Sequence, residues 1–130
     1  MTTIYVDQAA LLDDTHGAPG FSEAALRSLG FLREAGHAIV MVTDPSDAVV
    51  EGGPPVDWTC IQLEALPIRP ADPAWYLTTD ADRCQGRSAR LRTVLVGPAP
   101  APAAIHRCDA LARDVPAAAL EILAAEAMPS

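Results

Sequence analysis

Apolar positions along the chain come in two rhythms, short β-type runs and longer stretches spaced by three and four, and the two alternate. The first run is Thr3-Ile4-Tyr5-Val6, closed by Asp7, and a polar loop with glycine and proline extends from Asp13 to Gly20. Ser22 can cap a helix by accepting from the free amides of its first turn, and Ala25, Leu26, Leu29 and Leu32 then share one face. Gly36 supplies the left-handed conformation that a helix C-terminus uses. Ala38-Ile39-Val40-Met41-Val42 follows without alternation, as in a strand covered on both faces, and ends at Thr43-Asp44-Pro45.

Residues 44–57 are rich in Pro, Gly and Asp and read as loop, with room for one helical turn over Ser46–Val50. Weaker strands are expected over Thr59–Leu63 and Ala74–Thr79, a helix of about two turns between Asp80 and Arg90, and a strong strand at Thr93-Val94-Leu95-Val96. Gly97 and the Pro/Ala run from Pro98 to Pro102 end the central region. Pro116 suits a first helical turn, and Leu120, Ile122 and Leu123 are expected to form the buried side of the last helix. The alternation predicts one α/β domain over residues 1–130, a three-layer α/β/α sandwich with a central, mostly parallel sheet of about five strands.

Composition narrows the chemistry. The chain has 130 residues and a net charge of −8, and all 9 of its basic residues are arginine. Without lysine there is no Schiff base and no P-loop ammonium. With an isoelectric point near 4.6, phosphate backbones and anionic lipids are repelled on average, so neither nucleic acid nor a membrane surface is an expected partner. The amino terminus, MTTIYVDQAALLDD, has neither a basic leader nor an unbroken apolar run, and a cytoplasmic location is expected. Cys60, Cys84 and Cys108 form no CxxC pair, so three reduced thiols are expected rather than a zinc site or a disulfide framework.

In parallel α/β sheets, ligands gather outside the carboxyl ends of the strands, which singles out Asp7, Thr43, Asp44 and the Thr78-Thr79-Asp80-Ala81-Asp82 cluster. A carboxylate at Asp7 could act as nucleophile or hold a cation, whereas a lone Asp there more often starts a turn. The Thr43 hydroxyl and the amides after it could hold a phosphoryl oxygen, and Asp80 or Asp82 could complete a magnesium site, although an Asp at Asp80 equally caps the next helix. His16, His37 and His106 lack metal spacing. Trp58, Trp75 and Tyr76 read as cover for a sheet edge.

The order strand-Asp, helix-Gly, strand-Thr, strand-Asp-x-Asp, strand-Gly-Pro resembles the haloacid dehalogenase-like superfamily. The resemblance runs from Ile4 to about Leu123 and is strongest in FSEAALRSLGFLREAGHAIVMVTD and RLRTVLVGP, with CDALARDVPAAALEIL similar to the superfamily's closing strand and helix. It implies a capless domain related to magnesium-dependent phosphohydrolases that use an aspartyl-phosphate. Asp7 would be the nucleophile, Thr43 and the adjoining Asp44 would lie at the phosphate, and Arg69 would stand in for the third-motif lysine. Magnesium would rest on Asp7 and on Asp80 or Asp82.

The first motif of the superfamily is Asp-x-Asp-Gly-Thr, and here it reads Asp7-Gln8-Ala9-Ala10-Leu11. The second acid normally protonates the leaving oxygen and activates water, worth about a hundred to ten thousandfold, and Ala9 can do neither. Relatives that cleave carbon–phosphorus bonds carry Ala there but depend on a lysine in a cap, which this chain lacks. The expectation is a divergent member with weak or absent phosphohydrolase activity that keeps an anion pocket or binds a partner. The alternatives are an active phosphatase that borrows Asp13, Asp14 or His16 as general acid, and a structural subunit. Expected partners are a small phosphorylated molecule, a protein, or a second copy docked through the Ala-rich last helix.

Overall fold

A computed structural model of the chain describes residues 2–13, 20–45, 58–67, 69–86, 88–97 and 108–127, with the side chain of Asp13 outside that set. The elements are β1 (Thr3–Asp7), α1 (Gln8–Leu11), β2 (Leu12–Asp13), β3 (Gly20–Phe21), α2 (Glu23–Glu34), β4 (Ala38–Thr43), β5 (Thr59–Gln62), β6 (Ala74–Thr78), β7 (Leu91–Val96), β8 (Ala110–Ala112) and α3 (Val115–Ala127). Single 3-10 turns lie at Leu63–Ala65 and Ala81–Cys84. The main sheet has six strands in the order β5-β4-β1-β6-β7-β8, every pair parallel, while β2 and β3 form a small antiparallel pair. The expected parallel α/β fold is present, one strand wider than expected because Ala110–Ala112 adds to the β7 edge.

Side chains alternate across each strand, so the two faces of the sheet can be read by parity. Ile4, Val6, Ile39, Met41, Trp75, Leu77, Val94 and Val96 pack with Leu11 of α1, Leu29 and Leu32 of α2, and Val115 and Ile122 of α3 in one core. Val42, Ala74, Tyr76 and Leu91 line the other face and pack with Leu66. Among the described residues all three α-helices therefore lie on the first face. Burying a leucine such as Leu29 or Leu32 there contributes about 2 kcal/mol.

Local chemistry sets the helix ends. The Ser22 side chain accepts from the Ala25 amide at 3.3 Å, and Gly36 takes φ +100° just past the end of α2. The expected two-turn helix after Asp80 is only the turn Ala81–Cys84, since Gly86 at φ +75° breaks it. In α3 the buried stripe is Val115, Ala118, Ala119 and Ile122, and Leu120 is 69 % exposed, against the expectation that it packs inward. Alanines on that stripe bring the helix close to the sheet, which turns Leu120 to the outside.

Chain order fixes where the strands diverge. From β1 the chain builds outward on one side through β4 and β5, then crosses to the other side of β1 for β6, β7 and β8. The switch point lies between β1 and β6, where a parallel sheet leaves a crevice at its carboxyl edge. Val6 is in register with Leu77, so Asp7 and Thr78 end neighbouring strands there.

Candidate functional site

Asp7 ends the central strand with its side chain toward the second sheet face, 1 % exposed. Every group around it is a donor. Tyr76 Oη donates to Oδ1 at 2.7 Å, Thr78 Oγ1 donates to Oδ2 at 2.6 Å, and Arg83 Nη1 donates to Oδ2 at 2.9 Å. Thr78 Oγ1 also accepts from the Asp80 amide at 3.1 Å, which commits its proton to Asp7. Tyr76 and Thr78 reach Asp7 because they are two residues apart on β6 and share its face.

Arg83 gathers the acids of three strand ends. Its Nη2 donates to Asp44 Oδ2 at 3.0 Å, and its Nε lies 3.7 Å from Asp80 Oδ2. Asp80 Oδ1 meanwhile accepts from the Asp82 amide at 3.0 Å and caps the turn that carries Arg83. The capping reading of Asp80 is realised by one oxygen, while the other faces the Arg83 guanidinium. The planar fork is what permits this, since a guanidinium presents separate donors to separate carboxylates where an ammonium offers one point charge.

Burial pushes the Asp7 carboxyl above its ordinary value, and the bonds from Thr78, Tyr76 and Arg83 offset only part of that cost. Tyr76 is raised by burial and by the Asp7 charge it bonds. Burial pulls Arg83 down, but the charge and hydrogen bond of Asp7 outweigh it and hold the guanidinium above its ordinary value. The cluster is thus a partly buried cation among three acids, the Arg83 side chain 18 % exposed.

The other expected residues divide. Thr43 ends β4, but its hydroxyl donates to the Ile61 carbonyl at 3.2 Å and so is committed to β5. Asp44 joins the cluster through Arg83. Arg69 is exposed and, among the described residues, has no hydrogen bond or ion pair to Asp7, Thr43, Asp44 or Asp80. The cation that reaches Asp7 is Arg83, in a segment the sequence marks only as polar. Tyr76, expected to cover a sheet edge, lies instead on the central strand β6 with its ring fully buried. The sign in the sequence was the Tyr76-x-Thr78 alternation beside the strand that ends in Asp7. His16, His106, Asp14 and Ser46–Val50 lie outside the described residues. His37 is at the other end of the sheet, before β4, with its Nδ1 buried and unpartnered.

Cys84 and Cys108 form a disulfide with Cα atoms 5.2 Å apart, correcting the expectation of three reduced thiols, and Cys60 is free and exposed. Even spacing in the sequence says nothing about pairing; the fold brings the end of the 81–84 turn beside the segment that enters β8. A cavity of about 250 Å³ borders the crevice, walled by Ala10, Ser22, Ala25, Val96, Gly97 and Pro116 among others, and none of the Asp7–Arg83 cluster lines it.

No family model and no curated protein matches the chain by sequence. Its structure is similar to the crystal structure of D,D-heptose 1,7-bisphosphate phosphatase from Burkholderia thailandensis, at TM-score 0.64 and 14 % identity, over 95 % of this chain and 99 % of that one. The fold is haloacid dehalogenase-like.

Haloacid dehalogenase-like phosphatases use magnesium, so the crevice can be tested for fit. Magnesium demands near-octahedral oxygens at about 2.1 Å with several waters. Here both oxygens of Asp7 are already hydrogen-bonded, a guanidinium lies against Oδ2, and Asp80 is turned to a backbone amide and to that same guanidinium. No group of three His, Cys, Asp or Glu able to hold a metal occurs among the described residues. The residues as arranged do not fit the ion. Among the described residues, no helix is long and apolar enough to cross a membrane.

Proposed function

We propose that this chain is a divergent haloacid dehalogenase-like domain that binds a partner and does not hydrolyse phosphate esters. The observation that carries the reading is the Arg83 guanidinium on Asp7 at 2.9 Å. A carboxylate nucleophile needs access in line with phosphorus, and Asp7 is 1 % exposed with three of its about four lone-pair sites taken by Tyr76, Thr78 and Arg83. Ala9, two residues on, offers no proton to a leaving group.

Charge argues in the same direction. Asp7, Asp44 and Asp80 surround one guanidinium, so the crevice is net negative and repels a phosphate rather than collecting it. Of the ligands expected from the sequence, a protein partner or second copy is therefore favoured over a small phosphorylated molecule.

The test is turnover of an aryl phosphate by the full chain with magnesium, beside Asp7→Asn. The expected result is no hydrolysis in either, with no thermal shift from phosphate or magnesium. Magnesium-dependent turnover that disappears in Asp7→Asn would overturn the reading.

A further inference from the structure

Helix α3 is apolar on the side turned away from the sheet. Its buried stripe is Val115, Ala118, Ala119 and Ile122, yet the other side carries Leu120 and Ala124, both exposed, with Glu121 beside them. The second acid of the helix, Glu126, adds no charge there, because Trp75 Nε1 holds it toward β6. A surface helix ordinarily turns a polar side to water, and one that is apolar all round is covered. Helix α2 packs beside α3 over the same sheet face, with Leu29 and Leu32 buried and Phe31 56 % exposed. Phe31 and Leu120 are the large apolar side chains that the described residues leave exposed, and they lie on neighbouring helices. Single exposed apolar residues are ordinary, whereas two such residues over an alanine-rich helix make a patch.

The charges beside this patch are unpaired and ordered. Arg27, one turn before Phe31, and Glu121, next to Leu120, are exposed and have no ion pair or hydrogen bond among the described residues. Both helices start at one level, since Ser22 at the head of α2 and Pro116 in the first turn of α3 wall the same cavity. Read from that end, α2 presents Glu23 and then Arg27, while α3 is led in by Arg113, 85 % exposed, and then presents Glu121. The order of sign is opposite on the two helices. Arg33 and Glu34 follow at the far end of α2 as adjacent opposite charges and set no net preference.

Deepening the reading of a chain that binds a protein, we propose that the outer surface of α2 and α3 is the contact with a second copy of this chain. A two-fold axis along the helices sets α2 of one protomer on α3 of the other. Phe31 then packs on the partner's Leu120 and Ala124, Arg27 faces the partner's Glu121, and Glu23 faces the partner's Arg113. Such self-complementarity is what an isologous contact requires, because the same patch meets itself. Two short helices a side make a small, dissociable interface, so unfolding read in dilute solution reports the single chain.

Sedimentation equilibrium of the full chain tests this, with aryl phosphate turnover followed in the same samples. The expected result is a mass that rises with concentration from 13.6 kDa toward twice that value. Leu120→Glu should weaken association by about thirtyfold or more. Arg27→Glu and Glu121→Arg should each weaken it by about tenfold, and the two together should return it to within about threefold of wild type. A monomer up to about millimolar protein, association untouched by Leu120→Glu, or a double swap no better than either single would overturn the interface. So would a monomer that instead holds a different protein and loses it in Leu120→Glu. A monomer without turnover would sink the interface alone, and a dimer that hydrolyses the ester would sink only the non-hydrolytic reading.

Discussion

Arg83 Nη1 lies 2.9 Å from Asp7 Oδ2 across 76 residues of chain, and the contact joins the carboxyl end of the central strand to the first turn after its neighbour. Asp7 is buried beyond reach of bulk water, so its charge depends on that partner and on the hydroxyls of Tyr76 and Thr78. The carboxyl end of the central strand thus carries a buried ion pair.

Replacing Arg83 by methionine keeps much of the side-chain volume and removes the charge. It leaves Asp7 buried with two neutral donors and Asp44 without its fork. The expected loss is about 3 kcal/mol of unfolding free energy at neutral pH, with Arg83→Lys recovering less than about half because one ammonium cannot serve both carboxylates. Urea denaturation measures both, and a loss below about 1 kcal/mol for the methionine variant would contradict the assignment.

The Asp7 carboxyl is raised above 3.8, with burial as the largest cause. The folded state therefore holds a proton between 3.8 and the raised folded value, where the unfolded chain has lost it. The contribution of this group to stability is complete below that window and falls as pH rises through it. Asp7→Asn has no such titration. The stability of the wild type relative to Asp7→Asn should thus decline with rising pH across the window and stay level above it. Urea midpoints at a series of pH values check this, and the opposite slope would mean that Arg83 outweighs burial.

Three strands were legible because their apolar runs are reported directly by periodicity: Ile4 to Val6, Ile39 to Val42, and Val94 to Val96 needed no knowledge of partners. The acids of the site were legible for a topological reason, since Asp7, Asp44 and Asp80 all follow strands and a parallel sheet brings those ends together. Arg83 was not. Its role depends on a turn too short to show helical periodicity and on carboxylates 39 and 76 residues away. The order of family motifs points to Arg69 and carries no distance. The Cys84–Cys108 pairing is not legible in the sequence because pairing is a property of the fold and not of spacing.

Of the three residues expected on the buried side of α3, Ile122 and Leu123 pack in or against the core and Leu120 does not, and the two isomeric side chains Ile122 and Leu120 provide the check. Ile122 is fully buried and Leu120 is 69 % exposed. Ile122→Ala is expected to lose about 2 to 5 kcal/mol, and Leu120→Ala to stay within about 0.5 kcal/mol of wild type. Thermal or urea unfolding gives the ranking, and the reverse order would mean that the helix packs through its other side.

Trp75 Nε1 donates to Glu126 Oε1 at 2.8 Å, tying the last turn of α3 to β6, and that bond is the first cause holding the Glu126 carboxyl below its ordinary value. Trp75→Phe removes the donor and keeps a ring in the core. A loss of about 1 kcal/mol or more is expected at pH 7, shrinking as Glu126 protonates in acid. Unfolding at neutral and acid pH measures it; an equal loss at both would assign the effect to ring size alone.

The ion pair itself is tested most directly by a double-mutant cycle on Asp7→Asn and Arg83→Met, read as unfolding free energy at neutral pH. A coupling of about 2 kcal/mol or more is predicted, since each partner is costly mainly when the other is left alone. A coupling below about 0.5 kcal/mol would mean that Asp7 does not depend on Arg83, and the account of a crevice closed by its own cation would be wrong.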